Sequence, residues 1–122
     1  MEYRILGKTG LKVSAIGFGG WAIGGNMWGA QDDNDSIAAI NKAIDLGVNF
    51  IDTAAAYGNG HSEKVIGNVL KTRKERVYIA TKIPPLSWPP PSTSHAKDAF
   101  PKDSITKHVE QSLKNLQIDC ID

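Results

Sequence analysis

Apolar positions along the chain fall into short blocks, and their period changes from block to block. Residues 3–6 and 11–14 flank Gly7-Lys8-Thr9-Gly10, which predicts a hairpin around a four-residue loop. Residues 15–21 follow as a glycine-rich first strand. Ile37, Ile40 and Ile44 then recur at helical spacing, with Asp32 or Asp33 placed to cap the start and Gly47 to end it. In the next strand-like run Phe50, Asp52 and Ala54 share one face, and Ile51 and Thr53 share the other. A second helix is predicted with Ser62 as N-cap and Glu63 near its positive end. Ile66, Val69 and Leu70 form its inner face, and Arg73 borders it. Residues 77–82 predict a further strand, stopped by Pro84-Pro85. A third helix is predicted from about Asp103 to Leu116, with Ile105, Val109, Leu113 and Leu116 in one stripe and a fourth strand beginning near Ile118.

The stretch from Pro84 to Pro101 reads as a long loop holding all six prolines and Trp88. A loop this long is usually functional or mobile, and it makes Trp88 a candidate wall of a substrate pocket. Composition narrows the classes without naming one. The 122 residues suffice for one domain, and the hydrophobic and charged fractions are those of a soluble globular protein. A net charge of +1 with no basic block gives no reason to expect a nucleic-acid or membrane partner. Cys120 is the single cysteine, so no intrachain disulfide can form. The first residues carry Glu2 and Arg4 and no signal-type apolar run, and no segment is long enough to span a bilayer. A cytoplasmic protein is the expectation. No spacing suggests a metal site.

Chemistry concentrates at two strand ends. Asp52 closes one apolar run and Lys82 closes the next, so neighbouring parallel strands would set them side by side with Tyr57 looping over them. A buried acid without a partner is costly, and the lysine supplies one. A phenol is a poor proton donor at neutral pH, but a close ammonium favours its ionised form and brings it toward the working range. A carboxylate paired to the lysine holds it charged and in place. Such a trio could protonate a carbonyl oxygen while hydride reaches the carbonyl carbon. Taken one by one, the same residues also fit a solvated strand end and a turn tyrosine. Gly17-Phe18-Gly19-Gly20-Trp21-Ala22 formally fits a dinucleotide fingerprint, but no helix is predicted to open directly after it, as that fingerprint requires. His61 and His108 read as solvated or structural, and His95 has no evident partner.

The chain resembles the amino-terminal part of an aldo/keto reductase. The resemblance rests on Arg4-Ile5-Leu6-Gly7-Lys8-Thr9-Gly10-Leu11-Lys12-Val13-Ser14, Gly17-Phe18-Gly19-Gly20-Trp21 and Asp45-Leu46-Gly47-Val48-Asn49-Phe50-Ile51-Asp52-Thr53-Ala54. It continues through Tyr57-Gly58, Ser62-Glu63, Ile66-Gly67, Ala80-Thr81-Lys82, Ser112-Leu113-Lys114-Asn115-Leu116 and Asp119-Cys120-Ile121-Asp122, in family order. It implies an α/β fold, a (β/α)8 TIM barrel seen in part: an N-terminal β-hairpin capping the barrel bottom, the first three βα units and the start of strand four. Three units in about 105 residues extrapolate to roughly 280 for eight, near the ~250 typical of this barrel.

The resemblance also implies NADPH-dependent, reversible reduction of an aldehyde or ketone to an alcohol. Asp52, Tyr57 and Lys82 match three members of the family's catalytic tetrad, with Tyr57 as proton donor, Lys82 tuning it and Asp52 orienting Lys82. The fourth, a histidine, is expected in the strand beginning near Ile121. Gly20, Trp21 and Asp52 are expected beside the nicotinamide, and a small carbonyl compound is the expected partner. Two other outcomes stay open. The same early motifs occur in potassium-channel β subunits, where the barrel is a regulatory binding module. A truncated product without activity is the other.

Overall fold

The computed structural model describes residues 1–25, 29–87 and 95–122. The expected hairpin forms from β1 (Tyr3–Ile5) and β2 (Lys12–Ser14), antiparallel with Arg4 opposite Val13. Its loop is closed by the Leu6 NH on the Leu11 carbonyl at 2.9 Å and by the Thr9 hydroxyl on the Leu6 carbonyl at 2.6 Å. Asn49 fastens the hairpin to the sheet: its side chain accepts from the Ser14 NH at 2.7 Å and donates to the Lys12 carbonyl at 3.0 Å. Because Asn49 precedes a strand of the sheet, the hairpin sits at the amino-terminal end of that sheet.

The sheet has three parallel strands in the order β3 (Phe18–Gly19), β4 (Phe50–Asp52) and β5 (Tyr78–Ala80). Phe18 pairs with Ile51, and Ile51 with Ile79. β3 is shorter than the expected run of residues 15–21. On one side the Ser14 hydroxyl turns onto the Ile16 carbonyl, and on the other Trp21 leads into a 3-10 turn at Ala22–Gly24. The Gly20 NH still reaches the Asp52 carbonyl at 2.7 Å, so pairing outlasts the formal strand.

Alternation along the strands divides the sheet's faces. Ile51 and Ile79 are fully buried against the helices, whereas Phe50, Asp52, Tyr78 and Ala80 are only half-buried on the opposite face. The main core lies in the sheet–helix layer and joins Ile40 and Ile44 of α1 (Asp33–Asp45), Val65, Ile66 and Val69 of α2 (His61–Leu70), and Leu116. Asp32 caps α1, its carboxylate accepting from the Asn34 NH at 2.7 Å. α2 packs between α1 and α4 (Lys102–Leu116); a four-residue helix, α3 (Ala96–Ala99), precedes α4.

Three expectations need correction. α2 begins at His61 with Gly60 as its N-cap, so Ser62 is not the cap. Gly58, Asn59 and Gly60 all have left-handed backbone, which turns the chain into the helix earlier and rotates Ser62 inward. A side chain at Gly60 would also meet the Asn115 amide, with an ideal Cβ only 2.5 Å from its nitrogen. The α4 stripe is buried only at Leu116: Ile105 is exposed, and Ser112 and Asn115 complete the buried face. Small and polar side chains face α2 there because the two backbones come close at Gly67. Residues 118–122 form no strand; Ile118 and Ile121 pack against the core, and the Asp122 carboxylate takes the Ile79 NH at 3.0 Å and pairs with Arg76. With a side chain occupying the β5 amide, backbone pairing does not start there. Trp88 lies outside the described residues.

Candidate active site

The carboxyl ends of β4 and β5 bring Asp52 and Lys82 together. The register sets Asp52 beside Ala80, and Lys82 is the next residue on that face. Backbone pairing continues beyond the strands through the Thr53 NH on the Ala80 carbonyl at 2.8 Å and the Ala55 NH on the Lys82 carbonyl at 3.2 Å. The Lys82 ammonium donates to both Asp52 oxygens at 2.7 Å and to the Thr53 carbonyl at 2.9 Å. The Tyr57 hydroxyl is 3.4 Å away, and the ammonium stands 5.2 Å from the Tyr57 ring centre. Tyr57 is held over the pair by its own backbone, its NH bonding the Ala54 carbonyl at 3.0 Å. Trp21 stacks on Tyr57 with ring centres 6.1 Å apart.

Burial pulls the Lys82 ammonium toward neutrality, but the hydrogen bonds it donates to Asp52 and Tyr57, with the negative charge of Asp52, outweigh this and hold its pKa above the ordinary lysine value. Lys82 is therefore charged at neutral pH and forms an ion pair with Asp52. Above the trio opens a mostly apolar cleft of about 510 Å³, lined by Trp21, Ala54, Ala56, Tyr57, Lys82, Ile83, Pro84 and Pro85. Another hollow, of about 340 Å³, lies around Arg76, Ile118 and Asp122, far from these side chains. Gly20 is buried behind the trio and keeps close to the sheet: an ideal Cβ would lie 2.8 Å from the Ser62 hydroxyl and 3.2 Å from the Asp52 carbonyl.

The histidines lie apart from the trio. His61 pairs with Asp33 at 2.8 Å, and His95 caps α3. Among the described residues no cluster of three His, Cys, Asp or Glu side chains could hold a metal. No described helix is long and apolar enough to cross a membrane.

The aldo/keto reductase family model matches residues 15–122. The chain belongs to the aldo/keto reductase family. It is 45% identical over 125 residues to the aldo-keto reductase YhdN of Bacillus subtilis, covering all of this chain and 36% of that relative. A probable voltage-gated potassium channel subunit beta of Arabidopsis thaliana is 34% identical over 125 residues, again covering all of this chain and 36% of the relative. The solved aldo-keto reductase from Klebsiella pneumoniae in complex with NADPH superimposes with a TM-score of 0.72 at 31% identity, over 93% of this chain and 34% of that one. This aldo/keto reductase chain thus spans about a third of the length of the curated relatives it matches. Its fold is a partial (β/α)8 barrel, with the first three strands in place and helices on their outer face.

Sequence reasoning missed a second layer behind the trio. Thr53 and Thr81, next in sequence to Asp52 and Lys82, face the helices, where they meet Ser62 and Glu63 in the first turn of α2. The signal was present: Thr53 continues the buried face of Ile51, and Thr81 continues that of Ile79.

Proposed function

We propose that the chain supplies the first part of an NADPH-dependent reductase that reversibly converts aldehydes or ketones to alcohols. One observation carries the reading. An ammonium bound to both oxygens of Asp52 lies 3.4 Å from a phenol hydroxyl at the floor of an apolar cleft. A carbonyl compound in that cleft would present its oxygen to Tyr57. The Tyr57 hydroxyl gives its proton to that oxygen, and the Lys82 ammonium stabilises the charge left on the phenol oxygen. Asp52 and the Thr53 carbonyl fix the ammonium, so little reorganisation is needed as the proton moves. In the reverse direction the phenol oxygen takes the proton back from the alcohol.

The cleft fits a nicotinamide end better than a polyphosphate. Its lining is mostly apolar, and among the described lining residues the cation is Lys82, already matched by Asp52. Trp21 and Asp52 would hold that ring, whereas Gly20, expected beside it, is buried behind them against Ser62 and does not line the cleft. NADPH bound there would supply the hydride to the carbonyl carbon. The family resemblance implies that the fourth catalytic member, a histidine, belongs to the next barrel strand; His61 is engaged by Asp33. A cytoplasmic setting suits the free, exposed Cys120 thiol, which persists reduced there.

The potassium-channel relative keeps a binding-module reading in view, and turnover separates the two. With the full-length protein, NADPH consumption and alcohol formation are followed for a panel of simple aldehydes and ketones. Stoichiometric alcohol formation is the expected result. NADPH binding without turnover of any member of the panel would favour a regulatory module.

A further inference from the structure

Behind the Asp52–Lys82 pair lies a buried carboxyl group that the proposed chemistry does not use. Glu63 has no exposed surface, and an isolated carboxylate there would be costly. Both of its oxygens are used as acceptors: the Thr81 hydroxyl donates to one at 2.8 Å and the Asn115 amide to the other at 2.9 Å. Gln111 donates in turn to the Asn115 side-chain oxygen at 3.0 Å. The α2 residue before Glu63 makes a matching clamp. Ser62, also fully buried, donates to the Gly20 carbonyl at 2.8 Å, and its oxygen is 2.9 Å from the Thr53 hydroxyl.

The placement follows from strand alternation. Lys82 faces the cleft, so Thr81 must face the helices; Asp52 faces the cleft, so Thr53 must do the same. Each member of the ion pair is therefore backed by a threonine whose hydroxyl is tied to α2. β5 ends at Ala80 and Pro84-Pro85 follow, so past the strand the Ala55 NH on the Lys82 carbonyl, at 3.2 Å, is what continues the pairing with the β4 side. With one backbone bond on the cleft side of Thr81 and a long, half-exposed lysine side chain beyond it, a small turn of this segment would carry the ammonium away from its partners. The Thr81–Glu63 bond opposes the rotation from the other face.

We propose that Thr81 and Glu63 are positioning residues for the reduction: the Thr81 hydroxyl, anchored on the buried Glu63 carboxyl, fixes the β5 end so that Lys82 meets Asp52 and Tyr57 together. Neither residue touches substrate or cofactor. The inference rests on the reductase reading above, and the test is arranged so that the two can fail separately.

The test uses the full-length protein labelled with ¹³C at the lysine side chains, with the Lys82 signal assigned by its loss in Lys82→Met. The groups facing Lys82 are Asp52 from β4 and Tyr57 from the loop after it. Thr81→Val deletes the hydroxyl with little change in shape, Thr81→Ser retains it, and Glu63→Gln weakens the acceptor while preserving its size. In Thr81→Val the Lys82 titration moves to lower pH, toward that of a free lysine. Thr81→Ser restores it, and Glu63→Gln lies between. In the same Thr81→Val protein kcat falls roughly ten- to hundredfold, the scale of a reacting group misplaced by about 1 Å, with NADPH affinity unchanged. A Lys82 titration unmoved in both Thr81→Val and Glu63→Gln overturns the proposal, even where melting temperature and activity fall, because that pattern is loss of stability alone. A titration that moves in a wild-type background lacking carbonyl turnover upholds the positioning and refutes the reductase reading instead.

Discussion

Gly67→Ala is predicted to destabilise the protein, against the usual sign for a glycine replaced inside a helix. Helix propensity alone favours alanine by about 1 kcal/mol. The structure opposes this, because Gly67 of α2 is pressed against the last turn of α4. An ideal Cβ at residue 67 would lie 2.6 Å from the Asn115 carbonyl oxygen and 2.7 Å from the backbone carbon of Leu116. Those atoms are helix backbone and cannot swing aside as a side chain would. Ordinary contact begins at 3.4 Å, so α4 must retreat by roughly 0.8 Å. Overpacking of one carbon in a tight interior costs about 1–3 kcal/mol, which leaves a net loss of about 1 kcal/mol after the propensity gain. The same retreat draws Asn115 away from Glu63, so a fall in turnover should accompany it. Urea unfolding of the full-length wild type and variant, read at equal slope, measures the difference. A Gly67→Ala protein as stable as the wild type, or more so, would show that α4 yields to the added carbon without cost.

Ser62→Ala removes the donor to the Gly20 carbonyl and the partner of Thr53 in a buried site; a loss of about 1–3 kcal/mol is expected in the same unfolding assay, and an unchanged midpoint would contradict it. The Lys82 ammonium, with its pKa raised in the fold, contributes stability that is complete below the unfolded value and lost as pH rises through the folded one. The stability gap between wild type and Lys82→Met should therefore hold from neutrality to about pH 10 and close only above it. A gap that closes near neutral pH would refute this ordering. Residues 1–122 expressed by themselves are predicted to associate and to lack turnover, since β3 and β5 each pair on one side only and Phe18 and Phe50 lack an opposite barrel wall. Sedimentation as a monomer with a sharp cooperative melt would contradict that expectation.

Much of the architecture was legible because burial imposes a period. The helical recurrence of Ile37, Ile40 and Ile44 located α1, and the alternation at residues 50–54 gave the faces of β4. The proximity of Asp52 and Lys82 followed from two apolar runs each ending in a charge. What the pattern concealed were polar side chains doing the packing of apolar ones. Ser62 looked like a cap because capping residues and buried hydroxyls are the same residue types; only the left-handed Gly58-Asn59-Gly60 turn decides between them. Glu63 looked like a dipole partner at a helix start, and its burial depends on Thr81 and Asn115, distant in sequence. The α4 stripe misled because Ser112 and Asn115 are small or polar yet face the closest helix. The hydrogen bonds of Asp122 to β5 and Arg76 had no local signature at all.

In the proposed reduction Tyr57 delivers the proton, Lys82 stabilises the charge left on the phenol oxygen, and Asp52 holds Lys82 in place. Tyr57→Phe in the full-length protein tests the proton delivery most directly, since the ring stacked on Trp21 is kept and only the hydroxyl is lost. Turnover of an aldehyde is measured beside NADPH binding by fluorescence titration. The account predicts that kcat falls by roughly 10²–10⁴, the usual share of a positioned acid, with NADPH affinity nearly intact. Turnover equal to that of the wild type would contradict it.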